Sequence, residues 1–412
     1  MAHHTMRILI YGINFAPELT GIGKYSGEMS AWLAANGHTV HVITATPFYP
    51  LWKAQSGYSN RWWRRENMAG VRITRCPLYI PAKVTSAKRI LHEFSFVAAT
   101  FPVWVKRLFQ KKYDVVICVA PPFHLGFLAL VYARLKGAKL VQHIQDLQVD
   151  AAKDLGMLRN QRFLNIMFGA EKFILKRSTA VGTISPGMQK KIESKGIAPS
   201  KIIMFPNWVD EHVIRPLDKT QSLRNQFGLQ QTDKVIQYSG NLGEKQGLEI
   251  IVEVAKHFIS QPDIVFVISG NGGIREKLEN AAKDAGLTNV KFFPLQPYEK
   301  LSELLATADI HLVLQKKSAT DLVMPSKLVS ILAAGGCPVV TAIPGSSLYE
   351  VIDKYQAGIL IAPENAVALQ EGIKKALNNN LDVYKANARK YAEQFLSKEH
   401  ILKQWEADLQ QL

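Results

Sequence analysis

Short apolar segments alternate with longer amphipathic segments along almost the whole chain. Most of the short segments are continuously apolar, which is typical of parallel strands buried on both faces. They predict strands at 7–11, 40–44, 71–75, 114–119, 139–144, 180–184 and 201–205, and again at 235–239, 264–269, 290–293, 310–314, 338–341 and 358–361. Helical periodicity lies between most of them, for example over 23–36, 187–195, 247–260 and 299–306. This order predicts an α/β protein with doubly wound parallel sheets.

The alternation is interrupted once, between Pro206 and Asp218, where Pro206-Asn207 and Arg215-Pro216 are typical of a turn-rich hinge. A chain of 412 residues is also too long for one comfortable core and suits two domains. We therefore predict a Rossmann-like domain over 6–206 and a second one over 207–392. Their strands' carboxyl ends would face each other across a cleft, where ligands bind in such folds.

Charge is distributed unevenly between the two predicted domains. Residues 1–206 carry 28 basic and 10 acidic side chains, a net charge of +18, whereas residues 207–412 carry 22 and 24, a net charge of −2. Such asymmetry indicates that the first half meets something anionic, and nucleic acid, a membrane surface and a phosphorylated substrate all satisfy it. General solubility charge is the plain alternative.

One segment of the first half, 94–105, is uncharged and aromatic, and it is flanked by Lys88-Arg89 and Lys106-Arg107. It is too short to span a bilayer. An aromatic helix with basic flanks can lie at the membrane interface, but it can equally be a core helix whose basic ends reach water. The charge asymmetry favours peripheral contact with an anionic membrane surface.

Three turns in the second half each follow a strand and precede a helix. Small residues at a helix N-terminus favour anion binding, because free backbone N–H groups and the helix dipole meet there. Lys245 and Lys327 add point charges. Each turn alone could be an ordinary helix cap, but together they predict a nucleotide diphosphate site formed by Ser239, Gly240, Asn241, Gly243, Gly270, Asn271, Met324, Pro325 and Ser326.

A glycine-containing loop also follows the first predicted strand. Its residues Gly21, Ile22, Gly23 and Tyr25 open a helix and could approach a ligand in the cleft closely. The spacing is not a dinucleotide-binding fingerprint, because Ser26 stands where a third Gly or Ala belongs, and it is not a Walker phosphate loop. A plain structural turn is the alternative.

Two residues near the predicted strand 139–144 are candidates for acid/base chemistry or for orienting a hydroxyl group, namely His143 and Asp146. A buried core histidine and a helix N-cap are the respective alternatives. The sequence has no Asp-x-Asp, no His-Glu-x-x-His and no clustered Cys and His, so a bound metal is not expected. The three cysteines, Cys76, Cys118 and Cys337, are widely spaced and fit a reducing compartment.

Several of these motifs occur together in a known family. The chain resembles the family 4 retaining glycosyltransferases of the GT-B fold, and most of all the subgroup that makes bacterial exopolysaccharides of the colanic acid kind. The resemblance covers residues 6–412, and its signs include Phe15-Ala16-Pro17-Glu18, Gln145-Asp146 and Pro325-Ser326-Lys327. The most specific sign is Pro206-Asn207-Trp208-Val209-Asp210 followed by Ser239-Gly240-Asn241-Leu242-Gly243.

The resemblance implies a division of roles. The second domain would hold a nucleoside-diphosphate sugar, with Pro294 and Leu295 near the base, and the first would hold a lipid-linked saccharide acceptor. From the residues themselves we expect Lys245, Lys327 and the N–H groups of the glycine turns to stabilise the leaving diphosphate, in place of a metal or other cofactor. A last helix at about 393–412 would cross back to the first domain. The expected protein is a hexosyl- or fucosyltransferase at the cytoplasmic face of the bacterial inner membrane.

Departures from the family pattern leave parts of this interpretation open. Many relatives have Arg and Lys where Asn241 and Gln246 stand, and a His before the aspartate where Gln145 precedes Asp146. The donor could be GDP-fucose or a UDP-sugar. A sugar-nucleotide epimerase or hydrolase of the same fold is one alternative, although it would need clearer carboxylates. A nucleic-acid-binding protein is another, but no recognition module is evident, so no nucleic acid partner is expected.

Overall fold

The computed structural model describes residues 5–18, 21–154, 160–317 and 324–412. The chain divides into two compact units. One comprises Met1–Pro206 with Leu402–Leu412, and the other comprises Asn207–Ile401. The C-terminal segment of the first unit therefore starts at Leu402, inside the last helix, whereas the family resemblance implied a return at about 393.

The first unit is built on a mostly parallel sheet of eight strands in the order β3-β4-β2-β1-β5-β6-β7-β8. Its core lies between this sheet and the helices that connect the strands, and β5 is buried at every position. The strands are β1 (Arg7–Tyr11), β2 (Thr39–Ala45), β3 (Arg64–Met68), β4 (Val71–Cys76), β5 (Val115–Ala120), β6 (Lys139–Ile144), β7 (Ala180–Thr183) and β8 (Ile202–Met204).

The second unit contains a parallel sheet of six strands in the order β11-β10-β9-β12-β13-β14. The sheet order reverses beside β9, which pairs with β10 on one side and β12 on the other. Ligands of open α/β sheets bind at the carboxyl ends of the strands beside such a reversal. The strands are β9 (Lys234–Ser239), β10 (Ile264–Ser269), β11 (Val290–Phe293), β12 (Ile310–Val313), β13 (Pro338–Thr341) and β14 (Ile359–Ile361).

Most α-helices connect successive strands, and the last three follow the final strand, β14. In the first unit they are α1 (Gly21–Ala35), α2 (Ser86–Leu108), α3 (Gly126–Lys136), α4 (Gln148–Asp154), α5 (Gln161–Arg177) and α6 (Pro186–Ser194). The remaining ones are α7 (Glu249–Ala255), α8 (Arg275–Asp284), α9 (Leu301–Ala306), α10 (Ser326–Ala333), α11 (Ser347–Tyr355), α12 (Ala366–Asn378), α13 (Leu381–Phe395) and α14 (Lys398–Gln410).

The sequence pattern did not predict β3, which pairs antiparallel with β4 at the edge of the first sheet. Its sequence is Arg-Arg-Glu-Asn-Met, so it has no apolar alternation to reveal it. Charged side chains on an edge strand are a common protection against pairing with another chain.

Helix α2 contains the aromatic segment 94–105, which the sequence allowed to be either a core helix or a membrane-interface helix. The structure shows one buried face and one exposed face. Phe96 and Trp104 are buried and pack on Tyr11, with ring centroids 5.7 Å and 5.1 Å away. On the opposite face, Phe94 and Phe101 are each 56% exposed. The helix is therefore both a core element and the carrier of an exposed apolar stripe.

The last helix, α14, is fixed to the first unit by polar and aromatic contacts. The ring of Trp405 stacks on Phe205 with centroids 4.1 Å apart. Nε2 of His38 lies 2.7 Å from a carboxylate oxygen of Glu406.

Within the described ranges, no helix has both the length and the hydropathy to cross a membrane. The three cysteines are buried and free.

A buried ion cluster joins three helices of the first unit. Lys195, the C-cap residue of α6, donates from Nζ to carboxylates of Asp150 on α4 and Glu171 on α5. The Lys195 side chain is only 11% exposed and that of Glu171 4%. One cation thus neutralises two partly or fully buried carboxylates.

Candidate active site

The candidate donor site begins where β9 ends. Ser239 is the last residue of β9, and Gly240, with φ of 131°, turns the chain away from the sheet. The amide of Gly240 donates to the carbonyl of Ser269 over 2.9 Å, and the amide of Leu242 donates to that of Asn271 over 2.9 Å. The turns after β9 and β10 are therefore joined backbone to backbone.

Glycine at position 270 is required by that close approach. A Cβ atom there would lie 1.8 Å from the carbonyl oxygen of Gly240. The amides of Gly240 and Gly270 are both bonded within the protein, the second to the carbonyl of Phe293. In the described part of the chain, the amides of Asn241 and Gly243 in the first of these turns have no acceptor, so both N–H groups are available to an anion.

Lys327, in the first turn of α10, lies beside this turn. A Cβ atom at Gly240 would be 3.3 Å from Nζ of Lys327, and Nζ lies 3.7 Å from the ring centroid of Tyr238. The ammonium nitrogen is enclosed and has no hydrogen-bond acceptor among the described residues. Burial lowers the pKa of Lys327 from 10.5 to about 7. A buried amine without an acceptor is costly and indicates a place for an anion.

Tyr238 completes this environment, and the sequence pattern missed it because it occupies an ordinary apolar position in a strand. Its hydroxyl donates to the carbonyl of Asn241 over 2.8 Å, which fixes the turn and the ring together. Burial raises the pKa of Tyr238, so the hydroxyl stays protonated at neutral pH. The ring face below the amine supplies a cation–π contact.

Lys245 is placed differently from Lys327. It is exposed, and its carbonyl accepts a hydrogen bond of 2.9 Å from the amide of Lys316. None of the contacts described for this unit places the Lys245 ammonium beside Lys327. The side chains of Asn241 and Gln246 both point toward the space beside Gly243, where a Cβ atom would be 2.9 Å from each.

The segment predicted to meet the base is attached to the second glycine turn. The hydroxyl of Ser269 donates to the carbonyl of Pro294 over 3.0 Å. Arg275 donates from Nη1 to the carbonyls of Gly270 and Phe293 over 2.6 Å and 2.8 Å. Sequence reasoning did not single out this arginine. Pro294 and Leu295 are exposed, with Leu295 at 59%.

The third predicted turn forms the N-terminus of α10. The carbonyl of Pro325 accepts from the amide of Leu328 over 2.9 Å, while Ser326 is exposed and Asn271 of the second turn is exposed as well. Met324 is partly buried against the core of this unit. The structure thus joins Ser239, Gly240, Gly270 and Lys327 directly, and it leaves Asn271, Leu295 and Ser326 at the surface.

In the first unit, the loop after β1 is organised by Glu18. Its carboxylate is 2% exposed and accepts from the amides of Phe48 and Tyr49, each over 3.0 Å, and from the side-chain amide of Asn14 over 2.9 Å. Burial raises the pKa of Glu18. Three donor groups around this loop are thus fixed by one buried carboxylate. The motif Phe15-Ala16-Pro17-Glu18 included this residue, but the sequence assigned it no role.

The predicted acceptor residues surround this loop at the start of α1. A Cβ atom at Gly23 would lie 2.6 Å from Cβ of Glu18, so only glycine fits. Gly21, with φ of 58°, and Ile22 are at least partly exposed, whereas Tyr25 is 7% exposed. This packing gives Gly23 and Tyr25 a structural reason to be present and leaves Gly21 and Ile22 accessible to a ligand.

The two acid/base candidates have different environments. His143 is 2% exposed, lies against Phe205 and Trp405, and its Nε2 is 2.8 Å from the side-chain nitrogen of Gln145. Burial lowers the pKa of His143 to about 3, so it is neutral at physiological pH. These surroundings favour the core-histidine interpretation. Asp146 is exposed and remains the more accessible candidate.

A buried carboxyl that sequence reasoning missed lies on α2. Glu93 is 6% exposed, and both of its oxygens accept from the side-chain amide of Gln148, over 3.0 Å and 3.1 Å. Nε of Arg89 donates to it over 3.3 Å. Burial raises the pKa of Glu93, which is a property of many acid/base groups. Its position inside an aromatic helix gave no sequence signal.

Comparison with known proteins identifies the family of the chain. Residues 219–395 match the family model described as Glycosyl transferases group 1, and residues 20–208 match the Glycosyl transferase 4-like domain. The chain is 42% identical to WcaI of Escherichia coli strain K12, named as a colanic acid biosynthesis glycosyl transferase. That match covers 98% of this chain and 100% of the relative. An uncharacterized glycosyltransferase of Methanocaldococcus jannaschii is 23% identical over 91% of this chain and 90% of its own.

Solved structures establish the fold independently. Sucrose-phosphate synthase from Thermosynechococcus elongatus superimposes with a TM-score of 0.77 at 16% identity, over 98% of both chains. Anabaena HepE, solved in complex with UDP, gives a TM-score of 0.74 at 14% identity, over 99% of this chain and 100% of that one. None of these matches supports an epimerase, a hydrolase or a nucleic-acid-binding protein. The chain belongs to the group 1 glycosyl transferases, and it is a glycosyltransferase of the GT-B fold.

Proposed function

We propose that this enzyme transfers a sugar from a nucleoside-diphosphate sugar to a lipid-linked saccharide during synthesis of a colanic-acid-like bacterial exopolysaccharide. The single observation that carries the donor assignment is the enclosed ammonium of Lys327 beside Gly240, over the ring of Tyr238. A diphosphate bound there would supply the anion that this amine lacks. The names of the relatives support the polysaccharide, because WcaI is named for colanic acid biosynthesis.

The chemistry follows from where charge develops. As the glycosidic bond to the diphosphate breaks, negative charge grows on the leaving oxygens. Lys327 and the amides of Asn241 and Gly243 would stabilise that charge, and Asp146 would orient a sugar or acceptor hydroxyl. We propose that no metal ion takes part, since these groups already supply positive charge. Retention of the anomeric configuration is part of the proposal.

Lys327→Met tests the donor assignment, with Lys354→Met as its matched control. Lys354 also lies over a tyrosine ring, that of Tyr355 at 5.1 Å, but it is exposed. We expect Lys327→Met to lose the thermal shift that sugar nucleotides give and to slow transfer by about 100-fold or more, the typical cost of removing one charge-stabilising donor. A Lys327→Met enzyme with the turnover of the wild type would contradict the assignment.

Three further measurements test the nucleotide, the absence of a metal and the retention of configuration. Thermal shifts with UDP, GDP, ADP and their sugar conjugates would separate the nucleotide families. Transfer in the presence of EDTA would stay unchanged if no metal takes part, and NMR of the product would show its anomeric configuration.

We also propose that the enzyme acts at the cytoplasmic face of the inner membrane, held peripherally by anionic lipids. Release of the membrane-bound protein by high salt would support this location.

A further inference from the structure

A pocket lies in the first unit, between α2 and the strands β2 and β4. Its volume is about 610 Å³. His41 is the third residue of β2 and pairs with Arg72, the second residue of β4, so the pocket covers the half of the sheet nearer the amino ends of these strands. Ligands of parallel α/β sheets bind at the carboxyl ends. This α2–β4 pocket is therefore separate from the predicted acceptor site.

Four cations line the α2–β4 pocket, namely Arg65, Arg72, Lys106 and Arg107. Within the ranges that the structure describes, Arg107 donates only to neutral acceptors, the side chains of Gln110 and Thr74, over 2.8 Å and 3.4 Å. Among the described residues, none of the four forms an ion pair. The one acidic side chain of the lining, Glu66, is already bonded to Arg64 and Arg75. The positive charge of the pocket is therefore not neutralised by the protein.

His41 adds a polar group that lacks a partner. It is 6% exposed, its Nδ1 is hydrogen-bonded to the hydroxyl of Tyr113, and its Nε2 is enclosed with no partner in the described structure. Burial raises the pKa of Tyr113, so this hydroxyl keeps its proton and can donate to Nδ1. Nε2 then carries the ring proton and can donate to an anion. Burial, with Arg107, Arg72 and Arg7, lowers the pKa of His41 to about 4.

The rest of the lining is apolar, and the pocket adjoins an apolar surface. Trp63, Pro102 and Val103 form part of the wall, and Nε1 of Trp63 donates to the carbonyl of Ala99 on α2 over 2.8 Å, which fixes the indole. The exposed stripe of α2 that includes Phe101 continues beside Pro102. A ligand that fits has an anionic group and an apolar remainder. This combination is characteristic of a membrane lipid rather than of free phosphate.

We propose that the α2–β4 pocket binds the phosphodiester headgroup of an anionic membrane lipid. The phosphate oxygens accept from the guanidinium groups of Arg72 and Arg107 and from Nε2 of His41, and the acyl chains leave along the exposed stripe of α2. The inference deepens the membrane contact of the proposed function and rests on it for the source of the ligand. The proposed membrane contact rested on the net charge of the first half of the chain, and the pocket adds a specific site for one lipid headgroup.

Short-chain phosphatidylglycerol tests this site in solution, below the concentration at which it forms micelles. The ring proton signals of His41 should shift saturably with dihexanoyl phosphatidylglycerol and not with dihexanoyl phosphatidylcholine. Arg72→Gln/Lys106→Gln should weaken this binding at least tenfold. The matched control is Lys111→Gln/Lys112→Gln, which removes two exposed charges just beyond α2 that do not line the pocket, and it should change the affinity less than twofold.

Three results would overturn the proposal: equal binding of phosphatidylcholine, an equal loss in both double variants, or the same His41 shift from inorganic phosphate at equal concentration. The last result would identify a free-anion site instead of a lipid site. Transfer to a detergent-solubilised acceptor should remain unchanged in Arg72→Gln/Lys106→Gln. If the wild type transferred no sugar from any sugar nucleotide, the proposed function would be contradicted. The lipid titration would still test the α2–β4 pocket, because it does not depend on transfer. Thermal unfolding of each variant verifies that it is folded.

Discussion

Donor binding should depend on pH through Lys327, with a sign fixed by its environment. In the donor-free protein burial lowers the pKa of Lys327 to about 7, and a bound diphosphate raises it again. Below pH 7 the amine already carries its proton, so affinity is constant. Above pH 7 binding must first protonate it, and affinity falls by up to tenfold for each pH unit until the pKa of the complex is reached.

The magnitude follows from the same value. Between pH 6 and pH 9 the dissociation constant for a sugar nucleotide should rise by about 100-fold, which corresponds to about 3 kcal/mol at 1.36 kcal/mol for each pKa unit. A sugar nucleotide is the suitable ligand, because its diphosphate diester does not titrate in this range. Calorimetry at pH 8 in two buffers of different ionisation enthalpy should show uptake of close to one proton on binding.

Two variants separate this effect from general changes with pH. Lys327→Arg keeps the positive charge at every pH tested, so its affinity should be flat from pH 6 to pH 9. Lys327→Met has no charge and should bind weakly, also without pH dependence. If the wild-type affinity is flat over this range, or if Lys327→Arg shows the same slope as the wild type, the amine does not contact the diphosphate.

Two further substitutions test the packing that holds the sites. Gly270→Ala should destabilise the protein by an amount on the order of 3 kcal/mol and prevent donor binding, because its Cβ would lie 1.8 Å from the carbonyl oxygen of Gly240. The control Gly273→Ala meets nothing within 4 Å and should leave the free energy of urea unfolding nearly unchanged. Lys195→Met leaves its two carboxylates without a cation and should cost about 3–5 kcal/mol, whereas the exposed Lys190→Met should cost almost nothing. An equal loss in either matched pair would show that these contacts do not carry the stability.

The sequence predicted the parallel strands well because burial on both faces gives them a continuous apolar signal. β10 was predicted with the bounds that it has, 264–269, and every one of its residues is buried. β3 carried no such signal, because an edge strand made of charged residues resembles a loop. The fold class follows from the many buried parallel strands, which the sequence reveals. The edge of the sheet is set by a strand such as β3, which the sequence does not reveal.

Site residues were harder to predict because side-chain direction depends on contacts distant in sequence. His143 stands near the carboxyl end of β6, as the sequence indicated, but Trp405 of α14 encloses its ring. Lys327 was predicted as a cation near a diphosphate, and no pattern indicated that Tyr238 would lie beneath it. The sequence therefore locates the turns, while tertiary packing decides which side chain remains accessible.

Buried cations elsewhere in the same unit show why the environment of Lys327 is informative. Arg224 is fully buried, yet its guanidinium donates to the carboxylate of Asp309 over 2.8 Å and to the carbonyls of Gln230 and Asp233. A cation with a structural role is thus supplied with acceptors by the fold. Lys327 is enclosed without one in the described chain, which destabilises its charged form and is reflected in its lowered pKa. Because a buried amine of this kind is a cost to folding, its presence beside a glycine turn is best explained by an anion that binds there.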